Sequence, residues 1–128
     1  MNTSAIILIV DDFADAREML KLTLSSLGYR VLEAEDGRGA VEITISQKPD
    51  LILMDLAMPV LSGLEAIREI RGIDGTCQTP IIAVSAYGNG DYQLAAISAG
   101  CDAYLSKPLD FTCLEAVMSK FLKVSDDL

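Results

Sequence analysis

No histidine occurs anywhere in the chain. Histidine-based acid–base catalysis and histidine metal sites are therefore excluded. Any phosphohistidine chemistry must draw its histidine from another protein. A basic surplus is missing too: 10 Lys and Arg stand against 19 Asp and Glu, for a formal net charge of −9. Nucleic-acid binding needs a basic patch to neutralise phosphates, and docking on an anionic membrane needs the same, so neither is expected. Long hydrophobic runs are lacking. The longest, Ala5–Val10, is far short of the roughly 20 residues of a spanning helix. No basic segment precedes an apolar stretch at the N-terminus, so no signal peptide is expected and the expected compartment is cytoplasmic. Cysteine is sparse. Cys77, Cys101 and Cys113 are odd in number, show no metal-ligand spacing and read as reduced thiols. Repeats, linkers and low-complexity stretches are absent as well.

What is present is a chain of 128 residues, 51% hydrophobic, which fits one domain over 1–128 with a core at about 5–122 and a tail at 123–128. Apolar runs alternate with helical patterns. Ala5–Val10, Arg30–Ala34, Leu51–Met54, Pro80–Val84 and Ala103–Leu105 read as strands. Three of them are continuously apolar, as expected when both faces of a parallel sheet are covered. Residues 14–27 place Ala16, Met19, Leu20, Thr23, Leu24 and Leu27 on one helical face, with Gly28 as a stop. Residues 63–71 place Leu64, Ile67 and Ile70 on one face behind a Ser62/Glu65 capping box. Residues 110–122 do the same with Phe111, Leu114, Val117, Met118 and Phe121. A weaker helix spans about 38–47, where Thr44 and Ile45 are β-branched. A short helix at 91–99 follows Gly88-Asn89-Gly90, a hinge-like start. Five such β-α units with short connections predict an α/β, doubly wound parallel sheet with helices on both faces.

In such sheets ligands bind beyond the carboxyl ends of the strands. Strand 1 ends at Asp11-Asp12, strand 3 at Asp55, strand 4 at Ser85 and strand 5 at Ser106-Lys107-Pro108. Side by side, these residues gather three carboxylates, an ammonium and a hydroxyl. Crowded carboxylates repel, and a hard divalent cation such as Mg²⁺ relieves the conflict. A carboxylate can attack phosphorus to form an aspartyl phosphate, with cation, lysine and hydroxyl stabilising the transferring oxygens. The inventory fits Mg²⁺-dependent phosphoryl transfer to an aspartate.

Four segments, ILIVDD (7–12), DLILMDLAMPVLSG (50–63), PIIAVSA (80–86) and AGCDAYLSKP (99–108), carry a family resemblance in order and spacing. Across essentially its whole length the sequence resembles the single-domain, chemotaxis-regulator-like response-regulator receiver domains of two-component signalling. The resemblance implies the flavodoxin-like strand order 2-1-3-4-5, which is also the order given for the chemotaxis receiver as a worked example of this fold class. It implies Asp55 as phosphoacceptor, Asp12 as a direct Mg²⁺ ligand, Asp11 acting mainly through metal-bound water, and the Ala57 backbone carbonyl as a further ligand. Ser85 and Lys107 would contact phosphoryl oxygens, and Ser85 and Tyr104 would form the switch. A cis Lys107–Pro108 bond is implied too. Ala57 and Tyr87 occupy positions that vary in the family and influence phosphate lifetime. The implied donor is a histidine kinase or histidine phosphotransfer protein, with an unidentified downstream protein target.

Plainer roles stand beside these. Asp11-Asp12 can be a turn and helix cap, Ser85 an ordinary residue after a strand, Lys107 a surface cation and Tyr104 a half-buried packing residue. Other functions compete as well. A haloacid-dehalogenase-type phosphatase would place Asp-x-Asp after strand 1, where this chain has Asp11-Asp12-Phe13-Ala14. A flavin module would need a phosphate cradle there, which an acidic pair opposes. A receiver-like interaction domain that is never phosphorylated would not need the full residue set. The output is open between working alone through a partner, passing phosphate to a second histidine protein, and belonging to a longer protein. Met1 and the short tail favour a stand-alone regulator that catalyses only its own phosphorylation and dephosphorylation and is not an enzyme acting on others.

Overall fold

Runs such as IILIV and LILM have no polar face to show to water, as expected of strands covered on both sides. A computed structural model describes residues 5–56, 61–86 and 90–122 and shows that arrangement. In chain order the elements are β1 (Ile6–Val10), α1 (Ala14–Ser26), β2 (Arg30–Ala34), α2 (Gly37–Gln47), β3 (Leu51–Asp55), α3 (Gly63–Arg71), β4 (Ile81–Ser85), α4 (Gly90–Ala99), β5 (Ala103–Ser106) and α5 (Phe111–Phe121). The five strands form one parallel sheet in the order β2-β1-β3-β4-β5, the order the resemblance implied. The expected Ala57 ligand, Tyr87, the Gly88-Asn89 part of the hinge, Met1 and the tail at 123–128 lie outside the described residues.

Alternation along each strand sorts its side chains between two cores. Leu8, Val10, Ile52, Met54, Ile81 and Ala83 face one way and pack with Ala40 and Val41 of α2, Ala66, Ile67 and Ile70 of α3, and Ala96 and Ala99 of α4. Ile7, Ile9, Leu51, Leu53, Ile82 and Val84 face the other way, against Leu20 and Leu24 of α1 and Leu114 and Met118 of α5. Each fully buried Leu or Ile contributes about 1.5–3 kcal/mol by leaving water.

The helix signals act as read, with corrections at the margins. Ser62 and Glu65 form the expected capping box on α3. Gly28 takes φ +99 after α1, a conformation that favours glycine. Despite its β-branched residues, α2 starts one residue earlier than expected. Asp36 caps it by accepting from the Gly39 amide at 2.8 Å, and the buried Thr44 hydroxyl donates to the Ala40 carbonyl at 2.7 Å. The expected apolar face of α1 is too wide: Met19 is 62% exposed and Leu27 48%. The contact with the sheet is centred on Leu20 and Leu24, which leaves Met19 on the margin, and Leu27 lies past the last helical residue. Phe111 opens α5 and is likewise largely exposed. β3 and β4 each reach one residue further than expected, so Asp55 and Ser85 are the last residues of their strands. Among the described residues no helix is long and apolar enough to cross a membrane.

Candidate functional site

Strand register brings the polar strand ends together. Val10 pairs with Met54, so Asp11 emerges beside Asp55 on the neighbouring strand. Asp55 pairs with Val84, and Ser85 with Ser106. The Lys107 amide donates to the Ser85 carbonyl at 2.8 Å, which sets the lysine directly after the sheet at the same edge. The Lys107–Pro108 bond is cis, as the resemblance implied.

The side chains converge as the backbone does. Lys107 Nζ lies 3.2 Å from Asp11 Oδ2 and 3.3 Å from Asp55 Oδ2. Asp11 and Asp55 are buried, Ser85 is fully buried and Asp12 is exposed. Burial works against the Lys107 charge, but Asp55 and Asp11 outweigh it and hold its pKa above the ordinary lysine value. The lysine therefore stays cationic throughout the neutral range. Asp11 is aimed by the start of α1. Its Oδ1 accepts from the Phe13 amide at 2.9 Å, which leaves Oδ2 for the lysine. Asp11 thus closes the turn before α1 with one oxygen and meets Lys107 with the other; α1 has Phe13 as its N-cap and no side-chain cap, so Asp11 fills the turn role and not the helix-cap role. Tyr104, on β5 opposite Ala83, is half-buried against the α2–α3–α4 core.

One residue at this site escaped the sequence reading. Arg17 of α1 donates from Nη1 to the Asp11 carbonyl at 2.9 Å, and its Nε meets Glu33 at 3.4 Å. Glu33 also pairs with Lys21 at 3.3 Å. Arg17 ties the backbone of the acidic turn to α1. The available signal was helical spacing: residue 17 falls one turn beyond Phe13.

Asp11, Asp12 and Asp55 each present one oxygen, all within 4.8 Å of one another. Three carboxylates against one ammonium leave surplus negative charge, and every donor is a hard oxygen. That set fits Mg²⁺, which takes one or two carboxylates and completes its shell with water and phosphate oxygens.

Comparison with known proteins points the same way. The chain is 41% identical over 102 residues to the phosphate regulon transcriptional regulatory protein PhoB of Pseudomonas aeruginosa, covering 80% of this chain and 44% of that protein. The chain spans about half the length of the curated relatives first matched. It is similar in structure to the chemotaxis protein CheY4 of Vibrio cholerae, with a TM-score of 0.88, 29% identity, and coverage of 94% of this chain and 100% of that one. A receiver domain of a Pseudomonas aeruginosa sensor histidine kinase, described with a magnesium ion coordinated in its active-site cleft, superposes with a TM-score of 0.87, 35% identity, and coverage of 93% and 98%. The family model for the response regulator receiver domain matches residues 7–119. With that match, the parallel sheet in order 2-1-3-4-5 and an acidic cluster at its carboxyl edge, the chain belongs to the response-regulator receiver domain family of two-component signalling.

Proposed function

We propose that Asp55 accepts a phosphoryl group from the phosphohistidine of a histidine kinase or a histidine phosphotransfer protein, in the cytoplasm, and that this chain is a switch rather than an enzyme acting on other substrates. The observation that carries the reading is Lys107 Nζ lying 3.2 and 3.3 Å from Asp11 and Asp55, within a triad of carboxylates. A buried carboxylate beside a fixed ammonium is a placed nucleophile with a cation ready for the incoming charge.

Asp55 Oδ forms the new bond to phosphorus while the donor's P–N bond breaks, and the released imidazole nitrogen takes up a proton. Lys107 then exchanges its contact with the Asp55 carboxylate for a phosphoryl oxygen, and Ser85 donates its hydroxyl to another. Asp11, Asp12, Asp55 and the Ala57 carbonyl would hold Mg²⁺, which supplies charge neutralisation for the transferring oxygens. The mapped ion of the structural neighbour supports the same metal here. Tyr104 and Ser85 form the relay from the site to the α4–β5–α5 face, where Leu94 and Ile97 of α4 are exposed for a downstream protein.

Incubation with phosphoramidate and Mg²⁺, read by intact-mass spectrometry, tests the assignment. One phosphoryl group is expected on the wild type and none on Asp55→Asn. Equal uptake by the variant would refute Asp55 as acceptor.

A further inference from the structure

Just past Asp55, the Gly63 amide at the start of α3 donates to the Leu56 carbonyl at 3.1 Å. A Cβ on Gly63 would collide with the Asp55 carbonyl oxygen, so α3 begins in direct backbone contact with the acceptor. Leu61, two residues before Gly63, is held from another element. Gly37, the buried first residue of α2, donates its amide to the Leu61 carbonyl at 3.0 Å. A Cβ there would strike the Leu61 carbonyl oxygen and carbon and its Cβ. The first two are backbone atoms, and the third is fixed directly to the backbone, so none can swing aside as the end of a side chain can.

Gly39 provides the contrast within the same helical turn. A Cβ on Gly39 would meet only Asp36 Oδ1 at 3.4 Å and Ala34 Cβ at 3.6 Å, ordinary packing distances. Glycine weakens a helix start in both places. Only at residue 37 does the fold require it.

We propose that Gly37 is a positioning residue for phosphoryl uptake at Asp55, acting through the backbone of Leu61. The proposal rests on the reading of Asp55 as phosphoacceptor. Leu61, Ser62 and Gly63 run directly into the capped start of α3, where Ser62 accepts from the Glu65 amide. A push on the Leu61 carbonyl is therefore passed along a stiff segment to Gly63, and from Gly63 to the Asp55 backbone. α2 sets the reach of this contact: β2 leads through the Asp36 cap straight into Gly37, so residue 37 has little freedom to retreat.

The test uses the full chain as wild type, Gly37→Ala and Gly39→Ala. Uptake from phosphoramidate with Mg²⁺ is timed by intact mass. The amide shifts of Leu56 and Gly63 are recorded without metal, and thermal unfolding reports the fold. Gly37→Ala is expected to take up phosphoryl groups roughly 10- to 100-fold more slowly, the loss that a displacement of about 1 Å can cause. Its Leu56 and Gly63 amides should shift while unfolding stays cooperative. Gly39→Ala should match the wild type in rate and in both amides. A Gly37→Ala rate equal to the wild type overturns the inference and leaves the acceptor reading standing; a wild type that takes up nothing overturns both. Should Gly37→Ala not fold, the double variant Gly37→Ala/Leu61→Gly, which removes the struck Leu61 Cβ and keeps the push on the carbonyl, is compared with Leu61→Gly alone. A slower double variant supports the inference, and equal rates overturn it.

Discussion

Asp11 is 4% exposed and commits one oxygen to the Phe13 amide and the other to Lys107, whereas Asp12 stands exposed one residue later. Both add to the repulsion among the carboxylates, but only Asp11 offsets it by holding the start of α1 and the lysine. In EDTA, Asp11→Ala should therefore lower stability by about 1 kcal/mol through the lost hydrogen bond to the Phe13 amide. Asp12→Ala should leave stability unchanged or raise it, because repulsion falls and no described contact is lost. Urea denaturation decides this; a shift in the same direction for both would mean that Asp11 does not hold the turn. The strand-end residues were legible because polar or charged Asp11, Asp12, Asp55, Ser85 and Lys107 stand at or within two residues of the ends of apolar runs. Arg17 and Gly37 were not. Each acts on a backbone carbonyl, of Asp11 and Leu61 respectively, and such partners leave no residue-type pattern in a sequence.

Arg71 closes α3 and does for elements what Lys107 does for side chains. Its guanidinium donates to the carbonyls of Gly100 at 2.8 Å, Thr79 at 2.7 Å and Cys77 at 3.2 Å, and to Asp102 Oδ2 at 2.7 Å. The same Asp102 oxygen accepts from the Ile81 amide at 2.8 Å, at the first residue of β4. The C-terminal end of α4 is thereby fixed to α3, and Gly100, at φ +118, brings its backbone against the Arg71 stem. Any rearrangement of α4 pivots about this end. Arg71→Ala should cost about 2–3 kcal/mol, since several part-buried carbonyls and Asp102 lose a charged donor together. Arg71→Lys should recover only a fraction, because one ammonium cannot span four acceptors. Urea midpoints measure both, and a loss below about 0.5 kcal/mol for Arg71→Ala would reduce the node to surface decoration. The ten elements were legible because short apolar runs alternate with helical periodicity, and Ser62 and Glu65 mark the start of α3. The apolar face of α1 was drawn too wide, since Met19 lies at the margin of a contact centred on Leu20 and Leu24, and Leu27 lies past the helix.

At the scale of the whole molecule, the alternation of elements predicts a parallel doubly wound sheet but is compatible with more than one strand order. The order 2-1-3-4-5 came from the resemblance alone, because nothing in hydrophobic periodicity says which strand lies at the edge. That order is what assembles the site: it sets β1 next to β3, so residues 11 and 12 meet residue 55 only when the chain has folded. A cation that needs all three binds the folded state and has no matching site in the unfolded chain. Folding and Mg²⁺ binding are then linked, and Mg²⁺ at about 100 times its dissociation constant should add about 2.7 kcal/mol to stability, or roughly 10 °C to the melting temperature of a domain this size. A net charge of −9 gives any salt a second, general effect by screening self-repulsion. NaCl at matched ionic strength separates the two. Wild type should rise strongly with Mg²⁺ and weakly with NaCl, while Asp12→Ala should keep the NaCl response and lose most of the Mg²⁺ increment. If the two salts act alike on the wild type at equal ionic strength, the acidic cluster is an electrostatic burden and not a metal site.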